Sequence, residues 1–496
     1  MDRPLRTLPP IHSVDAEVGG VRLRPESWGT SAHVENVAGR DWQTIMQGCR
    51  IWWRLVVVCV LWLPAVAFAQ QTTPAPAPPS EFEAVPPPQN VGEIPESMSL
   101  EDLLATAEAY NPTLVQAAAV IDIELGTQTQ VGLYPNPILY YNGAQITRKG
   151  NVQQEGGYVE QTIMTAGKLK LNRAIAAQTV NQATWLQQQQ VFRVTNAVRM
   201  RYYEILGAQR QVELTEKLKG IAENAATIAD KLLASGEGTK PDKLQAEIEV
   251  GQAQILLNNA RNIYLTSWKQ MAATMGTPLM QPVPLDGSLD APPMEFEWDS
   301  TIDWLTANSP EVMVAQAGVA RSQIAIRRAQ VEPWPNPNVQ GWVQRDYGIK
   351  QNIVQVQVGI PTPIFNRNQG GIYSAMAEYR RSLAMAEQVD LSLRDRLSVA
   401  YRNYRNARQQ VENYRTAILP KARESLELIR EGYRRGELPF LQVLFAQRTY
   451  FQSNLAYVES LTNLWKSSVA ISGMLLTETS AADTSSVPNA MIPDAP

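Results

Sequence analysis

The side chains best suited to chemistry are few and lie near the N-terminus. The 496 residues include two His and two Cys. All four (His12, His33, Cys49 and Cys59) precede an apolar run at 55–69, or are inside it. That run, LVVVCVLWLPAVAFA, follows Arg50 and Arg54 and ends in Ala67-Phe68-Ala69. It falls short of the ~20 apolar residues of a spanning helix and reads as a secretory leader cleaved after Ala69. An uncleaved anchor is the alternative. Met46 would begin a leader of ordinary length, so 1–45 reads as an extension ahead of the true start. Val58 before Cys59 does not suit lipid attachment. The chain beyond Ala69 then has neither thiol nor imidazole. Disulfides, thiolate nucleophiles, His general bases and most zinc or copper sites are excluded there.

Carboxylates do not replace them. Asp and Glu number 48 against 44 Lys and Arg, for a net charge of −4. None stands at a spacing that demands acid–base work, and the basic residues form no stripe that would bind nucleic acid. No catalytic residue, cofactor or resident metal is expected.

The information lies instead in the elements. Residues 70–96 form a Pro-rich lead and 477–496 a polar tail, both expected to be flexible. The body between them is duplicated at a spacing of about 200 residues. Tyr134-Pro135-Asn136-Pro137 returns as Trp334-Pro335-Asn336-Pro337, Asn111-Pro112 as Ser309-Pro310, and Gly236-Glu237 as Gly436-Glu437. Leu244 and Ala246 return as Leu444 and Ala446, and a helix interruption at Gly220 returns at Pro420. The repeats are expected over 97–276 and 301–476, joined by a Pro-rich linker at 277–300.

Each repeat reads as a helix (99–132, 301–331), a strand pair, a very long helical stretch (168–234, 371–434) and a last helix (241–275, 439–476). Some sixty-five helical residues span roughly 100 Å, too long to bury themselves in a globule, so these stretches must pair as coiled-coil-like hairpins. The strands are expected at 136–148, 157–164, 336–346 and 352–360, with a polar loop beginning at Arg148-Lys149-Gly150-Asn151. Val354, Val356, Val358 and Ile360 alternate with Gln355, Gln357 and Gly359. That alternation fits a tilted membrane strand with lipid on one side and water on the other, or a small soluble sheet with one wet face. Tyr134 and Trp334, at the Pro-Asn-Pro turns, suit an interfacial aromatic girdle, and Tyr140, Tyr141, Tyr158, Trp342 and Tyr347 add further aromatics. Four strands cannot close a barrel and lipid does not tolerate open strand edges, so a membrane barrel would have to be shared between subunits.

From about 99 to 476 the chain resembles the TolC-like outer-membrane efflux proteins. The resemblance rests on QTIMTAGKLKLNR at 161–173, PTPIFNRNQGG at 361–371, and two hairpin tips, GEGTKPDKLQAE at 236–247 and GELPFLQVLFAQ at 436–447. The Gly167-Lys168 and Asn366-Arg367-Asn368-Gln369-Gly370 passages are most similar to the heavy-metal, cobalt–zinc–cadmium branch. Thr165-Ala166 departs from that branch, where a second Gly is usual. The resemblance implies a mainly α fold with a small β part: long helical hairpins forming a periplasmic barrel, and four strands per subunit in a trimeric, twelve-stranded transmembrane β-barrel. It also implies outer-membrane location, a periplasmic adaptor, and an inner-membrane pump of the resistance–nodulation–division type. A duct for drugs or for type I protein secretion remains open, as does a periplasmic coiled-coil adaptor or scaffold.

In such a duct, rings of identical side chains select and gate. Glu237, Asp242, Glu247 and Glu437 are the pore or gate candidates, with helix N-terminal charge compensation as the plainer reading. Gly236, Gly238, Thr239, Arg434, Arg435, Gly436 and Leu438 are the tip candidates for adaptor contact.

Overall fold

Ser99 opens the body through a reciprocal cap. Its Oγ accepts the Asp102 N–H at 3.3 Å, and the Asp102 carboxylate accepts the Ser99 N–H at 2.9 Å. The computed structural model describes residues 97–146, 152–236, 238–291 and 293–476. All belong to the second of the two units into which the chain divides, Pro86–Pro496. The leader, the extension before Met46, the Pro-rich lead, the loop at 148–151, Glu237 and the polar tail lie outside the described residues.

The expected single helix at 99–132 is two, α1 (Leu100–Tyr110) and α2 (Pro112–Gln130). Asn111 ends the first and caps the second, its Oδ1 accepting the Thr113 N–H at 2.8 Å. Pro112 has no N–H to continue the ladder and drives the residue before it out of helical conformation, so Asn111 has φ −73° and ψ 116°. The same break recurs at Ser309-Pro310, between α5 (Trp298–Asn308) and α6 (Pro310–Val331). These sites, read in the sequence as repeat markers, are also helix boundaries.

The long elements follow. In the first repeat, α3 (Lys168–Ser235) runs 68 residues and α4 (Lys240–Met275) returns 36. In the second, α7 (Gln369–Asn413), a π-turn (Tyr414–Ile418) and α8 (Leu419–Arg434) run out, and α9 (Phe440–Ser472) returns. The two expected interruptions differ. Gly220 leaves α3 continuous, because glycine keeps its N–H and costs a helix only about 1 kcal/mol. Pro420 widens the helix: the Leu419 N–H bonds five residues back, to the Tyr414 carbonyl, which relieves the clash a proline makes one turn behind it.

The strands are β1 (Ile138–Ile146), β2 (Val152–Thr162), β3 (Asn338–Asp346) and β4 (Gln351–Gly359). The two expected hairpins lie side by side. β2 pairs antiparallel with β3, from Thr162–Asn338 to Gln154–Asp346, so the hairpins fuse into one sheet of order β1-β2-β3-β4. β1 and β4 are its open edges.

The join between the repeats does more than link them. The Met98 N–H donates to the Pro284 carbonyl at 3.1 Å, and the Asp286 N–H donates back to Met98 at 3.0 Å. The Tyr202 hydroxyl bonds to the Asp286 carbonyl, and Trp465 Nε1 to that of Leu289 at 3.0 Å. Val283, Leu285 and Leu289 complete an apolar core with Leu103, Ile205, Trp268 and Met271. A second core gathers Leu305, Leu393, Leu397, Tyr404 and Ile471. The segment is a belt bonded to α3 and α9, fixing hairpins from both repeats.

Candidate functional site

The strand register sorts side chains onto two unlike faces. Residues paired across antiparallel strands share a face, and neighbours along a strand alternate. Leu139 pairs with Val159, Val159 with Gly341, and Gly341 with Val356; Val343 and Val354 pair beside them. These residues, with Tyr141, Val339 and Val358, make one face wholly apolar along its middle. Leu139 is 78% exposed, Val354 71% and Val356 68%, a run of bared apolar surface that calls for a non-aqueous neighbour. Among the described residues no helix is long and apolar enough to cross a membrane.

The opposite face is polar. It carries Gln340, Gln344, Gln355, Gln357, Asn142 and Asn338, with Glu160 and Asp346. Across it runs a row of rings: Tyr140 stacks on Tyr158 at 4.4 Å between centroids, and Tyr158 meets Trp342 at 4.9 Å. These three aromatics therefore face away from the apolar side, whereas Tyr141 lies on it. Tyr347 lies at the far hairpin, where it and Tyr141 donate to Glu155. Tyr134 and Trp334 stand more than 60% exposed just before β1 and β3, at the helix end of the sheet.

Both strand-to-helix passages use left-handed backbone. Gly167 caps α3 at φ 66°, and Asn368 caps α7 at φ 58°. The next position in the first passage, Lys168, is only 2% exposed, and its Nζ donates to the Trp334 carbonyl at 2.7 Å and to Asn336 Oδ1 at 3.3 Å. Burial pushes its ammonium pKa down, while Glu332, 4.0 Å away, acts in the opposite sense. Asn368 Nδ2 donates to the Ala329 carbonyl at 2.8 Å. The two passages thus grip the end of α6 together.

At the tips, Gly236 and Gly436 adopt φ 81° and 76°, which glycine alone takes without strain. Thr239 caps α4, its hydroxyl bonding to Asp242 at 2.5 Å. Glu247 pairs with Lys243 at 4.0 Å, and Lys243 with Asp230 at 2.5 Å. Glu437 pairs with Arg435 at 3.4 Å. Asp242 and Glu437 therefore both have local partners. Leu438 is seated against Gly432, where a Cβ would meet its Cδ1 at 2.7 Å, and Gly238 is pressed on Leu232. Arg434 is exposed. Burial, and after it the charge of Asp242, push the Tyr433 hydroxyl pKa up. Among the described residues no three His, Cys, Asp or Glu side chains gather as a metal site.

The sheet's polar charges, Glu160 and Asp346, were missed in the sequence. Their signal was parity, since each falls on the face opposite the valines of β4. Parity can be counted only after four separate strands have been put in register.

Comparison with known proteins agrees with this geometry. Residues 143–277 and 301–475 match the family described as outer membrane efflux protein. The cobalt-zinc-cadmium resistance protein CzcC of Cupriavidus metallidurans is 26% identical over 384 residues, covering 76% of this chain and 90% of that protein. Among solved structures, CusC, described as undergoing conformational changes with folding and transmembrane channel formation, superposes with a TM-score of 0.66 at 16% identity, covering 76% of this chain and 92% of its own. The open state of the Neisseria gonorrhoeae MtrE outer membrane channel superposes at 0.65 and 15%, covering 76% and 89%.

Proposed function

The chain belongs to the outer membrane efflux protein family, and from that premise we propose that it is the exit duct of a heavy-metal efflux assembly. It is an outer-membrane efflux channel subunit with a periplasmic helical extension, and the family implies trimeric assembly. The observation that carries the duct is the four-stranded sheet, apolar on one face and polar on the other, with β1 and β4 unpaired at their outer edges. Lipid leaves no backbone group unpaired, so such a sheet enters a membrane only if copies join edge to edge. Three copies make twelve strands around a polar lumen.

The cargo is assigned to cobalt, zinc or cadmium cations on the likeness to CzcC, which extends over both repeats. A periplasmic adaptor docks at the hairpin tips, around Gly236, Gly238, Thr239, Arg434, Arg435 and Gly436, and an inner-membrane pump of the resistance–nodulation–division type supplies the cations. Leu438 shapes the second tip from within, through its seat on Gly432. Glu237, Asp242, Glu247 and Glu437 are the acidic groups available to line the entrance.

Deletion of the coding sequence tests this reading. Cells lacking the protein should retain more zinc, cobalt and cadmium by elemental analysis and should stop growing at lower metal concentrations, with drug susceptibility unchanged. Raised drug susceptibility with unchanged metal content would transfer the duct to a drug pump.

A further inference from the structure

We propose that the polar face of the sheet makes the barrel lumen cation-selective, with Glu160 and Asp346 supplying its charge. The proposal rests on the duct reading and adds a selecting element far from the hairpin tips. Among the described residues of β1–β4, that face carries two carboxylates and no Lys or Arg. Arg345 pairs across the strands with Glu155 on the apolar face and donates to Asn352 at 3.0 Å.

The two carboxylates are held but not neutralised. Asn338 Nδ2 donates to Glu160 Oε1 at 2.5 Å, and Gln154 Nε2 donates to Asp346 Oδ2 at 2.7 Å. The backbone N–H groups of Gly348 and Ile349 also donate to Asp346, at 2.8 and 3.2 Å. Amide donors fix a carboxylate in place and leave its charge intact, where a Lys or Arg partner would cancel it. Each acid is therefore a positioned negative charge.

The geometry makes those charges felt across the lumen. Twelve tilted strands about 4.8 Å apart close at a radius of roughly 12 Å, which inward side chains reduce to about 6 Å. That is within the ~8 Å screening length of physiological salt, so no path through the lumen escapes the wall. The row of Tyr140, Tyr158 and Trp342 narrows the lumen further at a level two residues, about 7 Å, along β2 from Glu160. Ions crossing the constriction pass one ring of three carboxylates beside it and a second, from Asp346, at the far end of the sheet. Anions are repelled at both levels and cations concentrated.

The test uses single cysteines in the full chain carrying Cys49→Ser and Cys59→Ser, inserted in outer-membrane vesicles. Gln340→Cys is placed beside Glu160 on the polar face, and Val356→Cys on the apolar face. A trimethylammonium methanethiosulfonate and a sulfonated one are compared, each normalised to its rate with free cysteine. The cationic reagent should modify Gln340→Cys at least several-fold faster, and Glu160→Gln should bring the ratio close to one. Val356→Cys should react with neither. A ratio near one at Gln340→Cys, a ratio unmoved by Glu160→Gln, or no reaction there at all overturns the selective face. Equal reaction at Val356→Cys and Gln340→Cys overturns the membrane barrel beneath it, which separates the two failures.

Discussion

The Lys168 ammonium donates a 2.7 Å hydrogen bond to the carbonyl of Trp334, 166 positions further along the chain. Lys168 begins the long helix of the first repeat, and Trp334 follows the last turn of α6 in the second. The bond ties the repeats together where helices give way to strands. Replacing Lys168 with Met keeps the stem and removes the donor, leaving a half-buried carbonyl without its partner. A loss of about 1–3 kcal/mol is expected, read as a lower temperature of sample heating at which the trimer band is lost from the gel.

The two faces of the sheet should tolerate charge very differently. Val356→Arg puts a cation on the lipid side, at a cost of about 2–4 kcal/mol per subunit near the bilayer midplane. Gln357→Arg, one residue on, puts it in the lumen. The first should abolish heat-modifiable trimer in outer-membrane fractions, and the second should leave trimer yield near that of the parent.

Glu204 should make the helical body sensitive to acid. Burial acts to raise its carboxyl pKa, but the bonds from Lys466 at 2.5 Å and Arg201 at 2.6 Å outweigh burial and hold it below the usual glutamate range. The folded state therefore releases this proton more readily than the unfolded chain. Its contribution is complete above the usual glutamate range and is lost as pH falls through the depressed folded value. The melting temperature of solubilised protein should drop over that acid window, and Glu204→Gln should flatten the drop while lowering stability at neutral pH by roughly 1–3 kcal/mol.

Asn196, fully buried in α3, donates from Nδ2 to the carbonyls of Gly473 at 2.7 Å and Leu476 at 2.9 Å. It closes the C-terminal end of α9, whose last carbonyls have no helical donors. Asn196→Leu should strand both carbonyls, and the branched side chain meets the backbone of Gly473 besides. Faster proteolysis of the 473–476 segment, with the strands still protected, is the expected signature in limited digestion.

The sequence by itself determined the duplication, the long helices and the conduit reading. Those depend on signals carried by neighbouring residues: Gly236 and Gly436 at the tips, the Pro-Asn-Pro turns, the alternation from Val354 to Ile360, and the placement of every Cys and His before residue 60. Local chemistry also decided details the sequence showed but pattern reading undervalued. Pro112 and Pro310 split helices read as continuous, since proline lacks the N–H that would continue the ladder and drives the residue before it out of helical conformation. Gly220 failed to interrupt α3, since glycine is only a mild cost.

Only the tertiary structure decided the rest, because it depends on pairs far apart in the chain. That β2 joins β3 makes one sheet of two hairpins, and no residue within either hairpin encodes that edge. The register then assigns Tyr140, Tyr158 and Trp342 to one face and Tyr141 to the other, a choice that a one-residue slip would reverse. The same long-range closure turns the 277–297 segment from a linker into a belt and brings Lys168 to Trp334. A side chain's type is local, but the face it serves is set by its partner strand or helix.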